Sequence, residues 1–213
     1  MLMTGQDKQP PEREVAPDLL ATPRGEVELF AAASPAMLAR LTMDERLANF
    51  RPAKKQKEAL VLIAGLPEGR VSIARHGGVI VAYVTFHRPH RLSRWARHPL
   101  TLEVGGIEVS PAWRRCGIAG RLLRAAFAHP SVEERIVYTT EYYWHWDLRG
   151  NRLGLWEYRE VMIRLFAAVG MEKTETDERD IAAHPANVLM VRYGKNVPES
   201  QKKAFRDLLF LGS

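Results

Sequence analysis

Residues 101–124, TLEVGGIEVSPAWRRCGIAGRLLR, contain the spacing best suited to chemistry. An apolar run leads into a short turn, then the loop RRCGIAG, then a helical pattern. Gly117, Ala119 and Gly120 carry almost no side chain, so main-chain N–H groups from Cys116 through Ile118 to Arg121 can approach a ligand closely. A helix N-terminus adds its own unpaired donors and the positive end of its dipole, which suits a phosphate or diphosphate. Arg114 and Arg115 supply positive charge at the loop entrance. An ordinary strand–turn–helix connection would use glycine in the same way, so the loop alone leaves both readings open.

On the strand before the loop, a period of two places Glu103, Gly105, Ile107 and Val109 on one face. The same period puts Glu108 on the opposite face. A second cluster is TTEYYWHWDL, residues 139–148. Glu141, Tyr142, Tyr143, Trp144, His145 and Trp146 crowd acids and rings together, as at the rim of a groove for an extended peptide or an alkyl-ammonium stem. Aromatics sealing a sheet end would look similar. His145 and Asp147 have no third ligand at a sensible spacing, so no metal site is expected.

Elements must position these groups. Residues 25–30 alternate as a first strand. Ser34-Pro35 reads as an N-cap with proline at N1, opening a helix expected to reach Ala48. A second helix spans residues 53–64, with Leu60, Ile63 and Ala64 inward and Gly65 expected at C′. Residues 70–75 and 79–86 form a hairpin about His76-Gly77-Gly78. A basic irregular loop covers 87–99. Strand 102–109, helix 117–128, strand 135–141, helix 155–169, strand 187–193 and helix 198–211 follow. The stripe Leu155, Tyr158, Met162, Leu165, Phe166, Val169 gives the fourth of these helices one buried face.

Composition bounds the function classes. The chain has 213 residues, 46% hydrophobic, with formal net charge +6. That length suits a single domain with a full core. A polar, proline-containing start reads as a disordered leader over residues 1–22, with one domain over 23–213. No run of about 18 apolar residues occurs, so no membrane partner is expected. The single Cys116 fits a reducing cytoplasm. The positive charge suits a polyanionic ligand, but no basic stripe with interleaved aromatics points to nucleic acid.

The pattern Arg114-x-x-Gly117-x-Ala119 resembles the acyl-CoA pyrophosphate loop of the GNAT N-acetyltransferases, and the element order is similar to theirs. The resemblance implies a mixed α/β fold whose splayed central sheet is flanked by helices, with acetyl-CoA as co-substrate. Histone-type members place a general-base glutamate where Glu103 stands. The chemistry needs such a base, because a lysine amine has a pKa of ~10.4 and only about one in a thousand is free to attack near pH 7. Glu108 is its competitor. Many members also carry a tyrosine acid four residues before the glycine after their fourth helix. Here that position is Phe166, so either another acid, with Tyr142, Tyr143 and Tyr158 as candidates, protonates the thiolate, or none is needed because a CoA thiolate is a fairly good leaving group.

Longer strings narrow this further. TTEYYWHWDL, WEYR at 156–159, FRP at 50–52, EALVLIAGLPEGR at 58–70, HPANVLM at 184–190 and GKNV at 194–197 resemble the acetoin-utilization acetyltransferase (AcuA) family. That resemblance implies a protein lysine acetyltransferase whose partner and substrate is AMP-forming acetyl-CoA synthetase, inactivated at its active-site lysine. Acetylation of a small amine, or stoichiometric inhibition of the synthetase by binding, are the competing functions.

Overall fold

The computed structural model describes residues 16–212. Within them, nine strands build one mixed sheet: β1 (Asp18–Thr22), β2 (Gly25–Phe30), β3 (Thr42–Met43), β4 (Arg70–His76), β5 (Val79–His87), β6 (Thr101–Val109), β7 (Ile136–Glu141), β8 (Glu172–Thr174) and β9 (Val188–Tyr193). Their spatial order is β1-β2-β4-β5-β6-β7-β9-β8, with β3 pairing parallel to β5 off that path. The helices are α1 (Pro35–Arg40), α2 (Ala53–Ala64), α3 (Ile118–Phe127), α4 (Leu148–Asn151), α5 (Leu155–Ala167), α6 (Arg179–Ala182) and α7 (Glu199–Asp207). No helix among the described residues is long and apolar enough to cross a membrane.

One sheet face packs against α3 and α5, joining Leu122, Leu123, Met162 and Phe166 to Val84, Val104, Val137 and Met190. The expected inward stripe of α5 is present, with Met162 and Phe166 buried and the other four packed beside them. The opposite face carries two clusters. Leu38 and Leu60 of α1 and α2 cover Ile73, Ile80 and Tyr83, while Phe205 of α7 and Trp95 cover Tyr138 and Val191.

Three expectations are corrected. The helix begun at Ser34, whose hydroxyl accepts from Met37 N–H, stops at Arg40 instead of Ala48. The N–H groups of Thr42 and Asp44 donate instead to Gly78 O and Ile80 O, drawing the chain along β5. Gly65 caps α2 in the right-handed conformation, not as a left-handed C′ residue. Asp18–Thr22, assigned to a leader from sequence, pairs antiparallel with β2 in full register. The start of that leader, residues 1–15, lies outside the described residues.

Two features of the central strands make the site. β6 and β7 are parallel and pair only over Thr101–Glu103 and Ile136–Tyr138; beyond Glu103 they diverge. The β5–β6 register shifts between Thr85 and Phe86, inserting one residue at Gly105. That bulge reverses the alternation expected for β6. Tyr83 and His87 lie on one face of β5 and oppose Glu108 and Glu103 respectively. The two glutamates therefore share a face, while Leu102, Val104, Ile107 and Val109 share the other.

Candidate active site

The divergence of β6 from β7 opens a two-lobed cleft. The first lobe, about 420 Å3, runs from the α3 N-terminus along Ile107 and Val109 to α5. The second, about 340 Å3, lies between Gly105-Gly106 of β6 and Thr139–Glu141 of β7. Asn49, Ile107, Tyr158 and Met162 line both lobes and mark their junction.

The first lobe has the form of a diphosphate cradle. Gly117 caps α3 with φ +74°, and open space lies where its Cβ would be. A left-handed residue there turns the chain so that the first helical N–H groups face the lobe. Ile118, Ala119 and Gly120 line it, together with Arg114 and Arg115. Two expected members fall outside this wall. The Cys116 thiol leans on Arg114 O at 3.6 Å. Arg121 donates its N–H to Gly117 O, and its guanidinium pairs with Asp18 at 2.8 Å, so the cradle ends at Gly120.

A clasp holds this loop. Arg114 Nε donates to Val109 O, and Nη1 donates to Asp147 Oδ2 at 2.7 Å. Asp147 Oδ1 in turn accepts from Gly150 N–H at the start of α4. Any Cβ on Gly150 would sit 2.1 Å from Asp147 Oδ2 and 2.7 Å from Arg114 Nη1, so glycine is required for the close approach. Arg115, itself at φ +62°, reaches Asn151 O. The aromatic segment and the loop are thereby one unit, a connection across about thirty residues with no local sequence signal.

Glu103, Glu141, Tyr142, His145 and Trp146 line the second lobe. Tyr143 and Trp144 do not. Tyr143 packs its ring against His184, 4.3 Å between centroids, and lines neither lobe. Trp144 stacks on Tyr142 at 4.7 Å and is 50% exposed, outside the lobe. Trp146, expected on the rim, is 9% exposed and stacks on Tyr158 at 5.2 Å within the α3–α5 core. His145 and Asp147 diverge to different lobes, Asp147 bound to Arg114.

Three carboxylates approach the junction in different states. Glu108 is held by Asn49 N–H at 2.9 Å and Tyr83 OH at 2.7 Å. Glu103 accepts from Tyr138 OH at 2.9 Å. Glu141 accepts from Trp146 Nε1 at 3.3 Å, with Thr139 Oγ1 at 3.2 Å. Burial pushes Glu141 up to about 7, against the pull of those two donors. Burial and the nearby Glu141 charge raise Tyr158 to about 12, so its phenol keeps its proton.

The Glu141 shift has a consequence for stability. A carboxylate whose pKa is raised by folding binds its proton more tightly in the native state, so stability is highest below the unfolded value near 4.5. It falls as pH rises from there through 7, by on the order of 3 kcal/mol. Glu141→Gln is expected to unfold at higher denaturant than wild type at pH 8, with the gap closing toward pH 4.5. Equal midpoints across that range would contradict the shift.

Residues 37–140 match the model of the Acetyltransferase (GNAT) family. The chain is 44% identical over 193 residues to acetoin utilization protein AcuA of Bacillus subtilis, covering 90% of this chain and 92% of that protein. It belongs to the AcuA family of GNAT N-acetyltransferases. A crystal structure of acetoin utilization protein from Exiguobacterium sibiricum superposes with TM-score 0.89 at 40% identity, covering 91% of this chain and 93% of that one. Phosphinothricin acetyltransferase from Sinorhizobium meliloti, in complex with AcCoA, shares the fold at TM-score 0.54 and 17% identity, over 81% and 91% of the two chains. The AcuA family links acetyl transfer to acetoin utilization, and GNAT enzymes draw the acetyl group from acetyl-CoA. The first lobe fits that donor: a cradle open at Gly117 for a diphosphate, then the β6 edge that β7 leaves unpaired.

Proposed function

We propose that this protein transfers acetyl from acetyl-CoA to the active-site lysine of an AMP-forming acetyl-CoA synthetase, and thereby inactivates it. The observation that carries this reading is the pair of lobes meeting at Ile107, Tyr158 and Met162. The first would take the donor, with main-chain N–H groups of residues 117–120 on the pyrophosphate and Ile107 and Val109 alongside the pantetheine arm. The thioester would then reach the junction, and a lysine side chain would arrive through the second lobe. Its aliphatic stem would run past Tyr142 and His145, while Glu103 draws its ammonium inward. Glu141 lines the same lobe.

A protein acceptor, instead of a free amine, is favoured by the mouth of the second lobe. Phe50 and Trp144 are 39% and 50% exposed there, with Phe50 edge-on to His145. Exposed rings beside a catalytic cleft are suited to a macromolecular surface. Trp144→Ala is therefore expected to weaken capture of the synthetase by ~2 kcal/mol, about thirtyfold, with melting temperature and acetyl-CoA affinity unchanged. Unaltered capture would remove this ledge from the docking surface.

The deciding experiment mixes the protein, acetyl-CoA and purified synthetase and reads intact mass alongside synthetase activity. One added acetyl group with parallel loss of activity supports the proposal. Lost activity without a mass change would establish inhibition by complex formation instead. No effect on the synthetase, with acetylation of a small amine, would assign the second lobe to that acceptor.

A further inference from the structure

We propose that Glu141, and not Glu103, accepts the proton of the attacking amine. This rests on the acetyltransferase activity of the family but not on the identity of the acceptor. The two carboxylates point to opposite faces of the sheet. Val137, Thr139 and Glu141 alternate onto the face of β7 that packs against α5, opposite Met190 and Val188 of β9 in the same cluster. Tyr158 and Met162, which mark the junction of the lobes, come from that same helix. Glu103 projects to the other face, onto Tyr138 in the cluster beneath α7. Glu108 is on that other face too, and both its oxygens are occupied, by Asn49 N–H and Tyr83 OH.

The partners of Glu141 are matched to a group that changes protonation. Thr139 Oγ1 lies 3.1 Å from Val104 O and 3.2 Å from Glu141 Oε1. A hydroxyl has a single proton to give but two lone pairs. With Glu141 ionised, Thr139 donates to the carboxylate. With Glu141 protonated, Thr139 turns its proton to Val104 O and accepts from the new carboxylic acid. Trp146 Nε1 donates to the other oxygen in either state. Glu141 keeps both partners in either protonation state, and only a hydroxyl rotation separates the two; the ionised state takes the Thr139 proton away from Val104 O. The titratable neighbour facing Glu141 from α5 is Tyr158; Glu103 of β6 and His145 of the turn after β7 line the same lobe, and the Glu108 charge also reaches Tyr158.

In the transfer step, an acceptor ammonium gives one proton to Glu141 Oε and becomes a neutral amine. Its nitrogen lone pair forms the bond to the acetyl carbon, the C–S bond breaks with its electron pair going to sulfur, and the second N–H proton passes to the thiolate. Glu141 then releases its proton to solvent, giving amide, CoA thiol and one proton. A base that titrates close to neutrality is half ready at pH 7, which is the condition for efficient proton transfer there.

The test is a pH–rate profile for wild type, Glu141→Gln and Glu103→Gln, following CoA release with an acceptor that wild type uses. Acetyl-CoA affinity is measured on each variant as the check of folding. Wild type should rise with pH through about 7 and then level off. Glu141→Gln should lose about 10²–10⁴ in turnover at pH 7 and regain part of it steadily toward pH 10, as the acceptor ammonium loses its proton to solvent unaided. Glu103→Gln should raise KM for the acceptor and keep the rise and plateau. The proposal is overturned if Glu141→Gln stays within about threefold of wild type, or if Glu103→Gln is the variant whose plateau disappears. Trp146→Phe provides a second handle, because it keeps a ring and removes one donor to the carboxylate. It should displace the rising limb to higher pH, and an unmoved limb also counts against Glu141.

Discussion

Trp146→Ala is expected to lower folding stability by ~3–5 kcal/mol, and to abolish acetyl transfer with it. The indole is 9% exposed, stacks on Tyr158 with ring planes 20° apart, and belongs to the cluster that joins the sheet to α3 and α5. Removing it opens a cavity at the junction of the two lobes, where Tyr158 and Met162 would relax into the space. It also takes away a donor from Glu141. Denaturant unfolding should show a reduced midpoint with an unchanged slope, and acetyl-CoA affinity should fall in parallel. A variant that unfolds with wild-type midpoint would contradict the packing argument. Its neighbour Trp144 is expected to behave oppositely: half exposed and outside the lobe, it should affect only the partner.

Those two tryptophans show what is legible in the sequence and what is not. The density of rings in residues 139–148 marks the region that lines the cleft, but ring type and spacing do not say which ring turns inward. The 3₁₀ turn Tyr143–His145 decides this by rotating Trp144 outward and Trp146 beneath α5. Local signals do better where the physics is local. The Ser34 cap, the Gly77-Gly78 hairpin, the amphipathic stripe of α5 and the small residues of the loop after β6 all specify short-range geometry, and the fold follows them closely. Glu141 in its present state cannot be read from local pattern. Its burial depends on Trp146, Thr139 and a helix that begins fourteen residues further on.

The misreading of β6 has a sharper cause. Strict alternation puts Glu103 with Ile107 and Val109, and Glu108 against them. The pair Gly105-Gly106 in mid-strand is itself the available signal, since glycine inside a strand often marks a bulge or a close backbone approach. One inserted residue moves every later side chain to the other face. It turns Glu103 and Glu108 toward Tyr138 and Tyr83, with Glu108 still at the edge of the first lobe, and it leaves the face toward α5 to Ile107 and Val109. β1 escapes a sequence reading for a different reason: its five residues have no core of their own and gain order only by pairing with β2. Likewise α1 ends early because two backbone donors find acceptors on β5, a tertiary effect that outweighs helix propensity.

Gly120→Glu should separate binding from folding most cleanly, because its two effects have opposite signs. A Cβ at this position would meet Arg124 Nη1 at 3.5 Å and Leu165 Cδ1 at 4.0 Å, ordinary contacts that require nothing to move. Glycine in a helix costs roughly 1 kcal/mol relative to alanine, and an acidic side chain in the first turn is favourable to the dipole. The variant should therefore melt no lower than wild type. Yet Gly120 is the last residue of the cradle, and the added carboxylate would stand where the diphosphate is to lie. Arg124 is near enough to neutralise part of that charge, but the bulk remains. The acetyl-CoA dissociation constant is expected to rise at least about a hundredfold, some 2.7 kcal/mol. Gly120→Ala, with its single methyl directed at Arg124 and Leu165, should change it by only a few fold. Calorimetry on both variants, with melting temperatures taken in parallel, checks the pair. If folded Gly120→Glu binds acetyl-CoA as wild type does, the diphosphate lies elsewhere. The donor would then have to enter along β6 without using the α3 N-terminus.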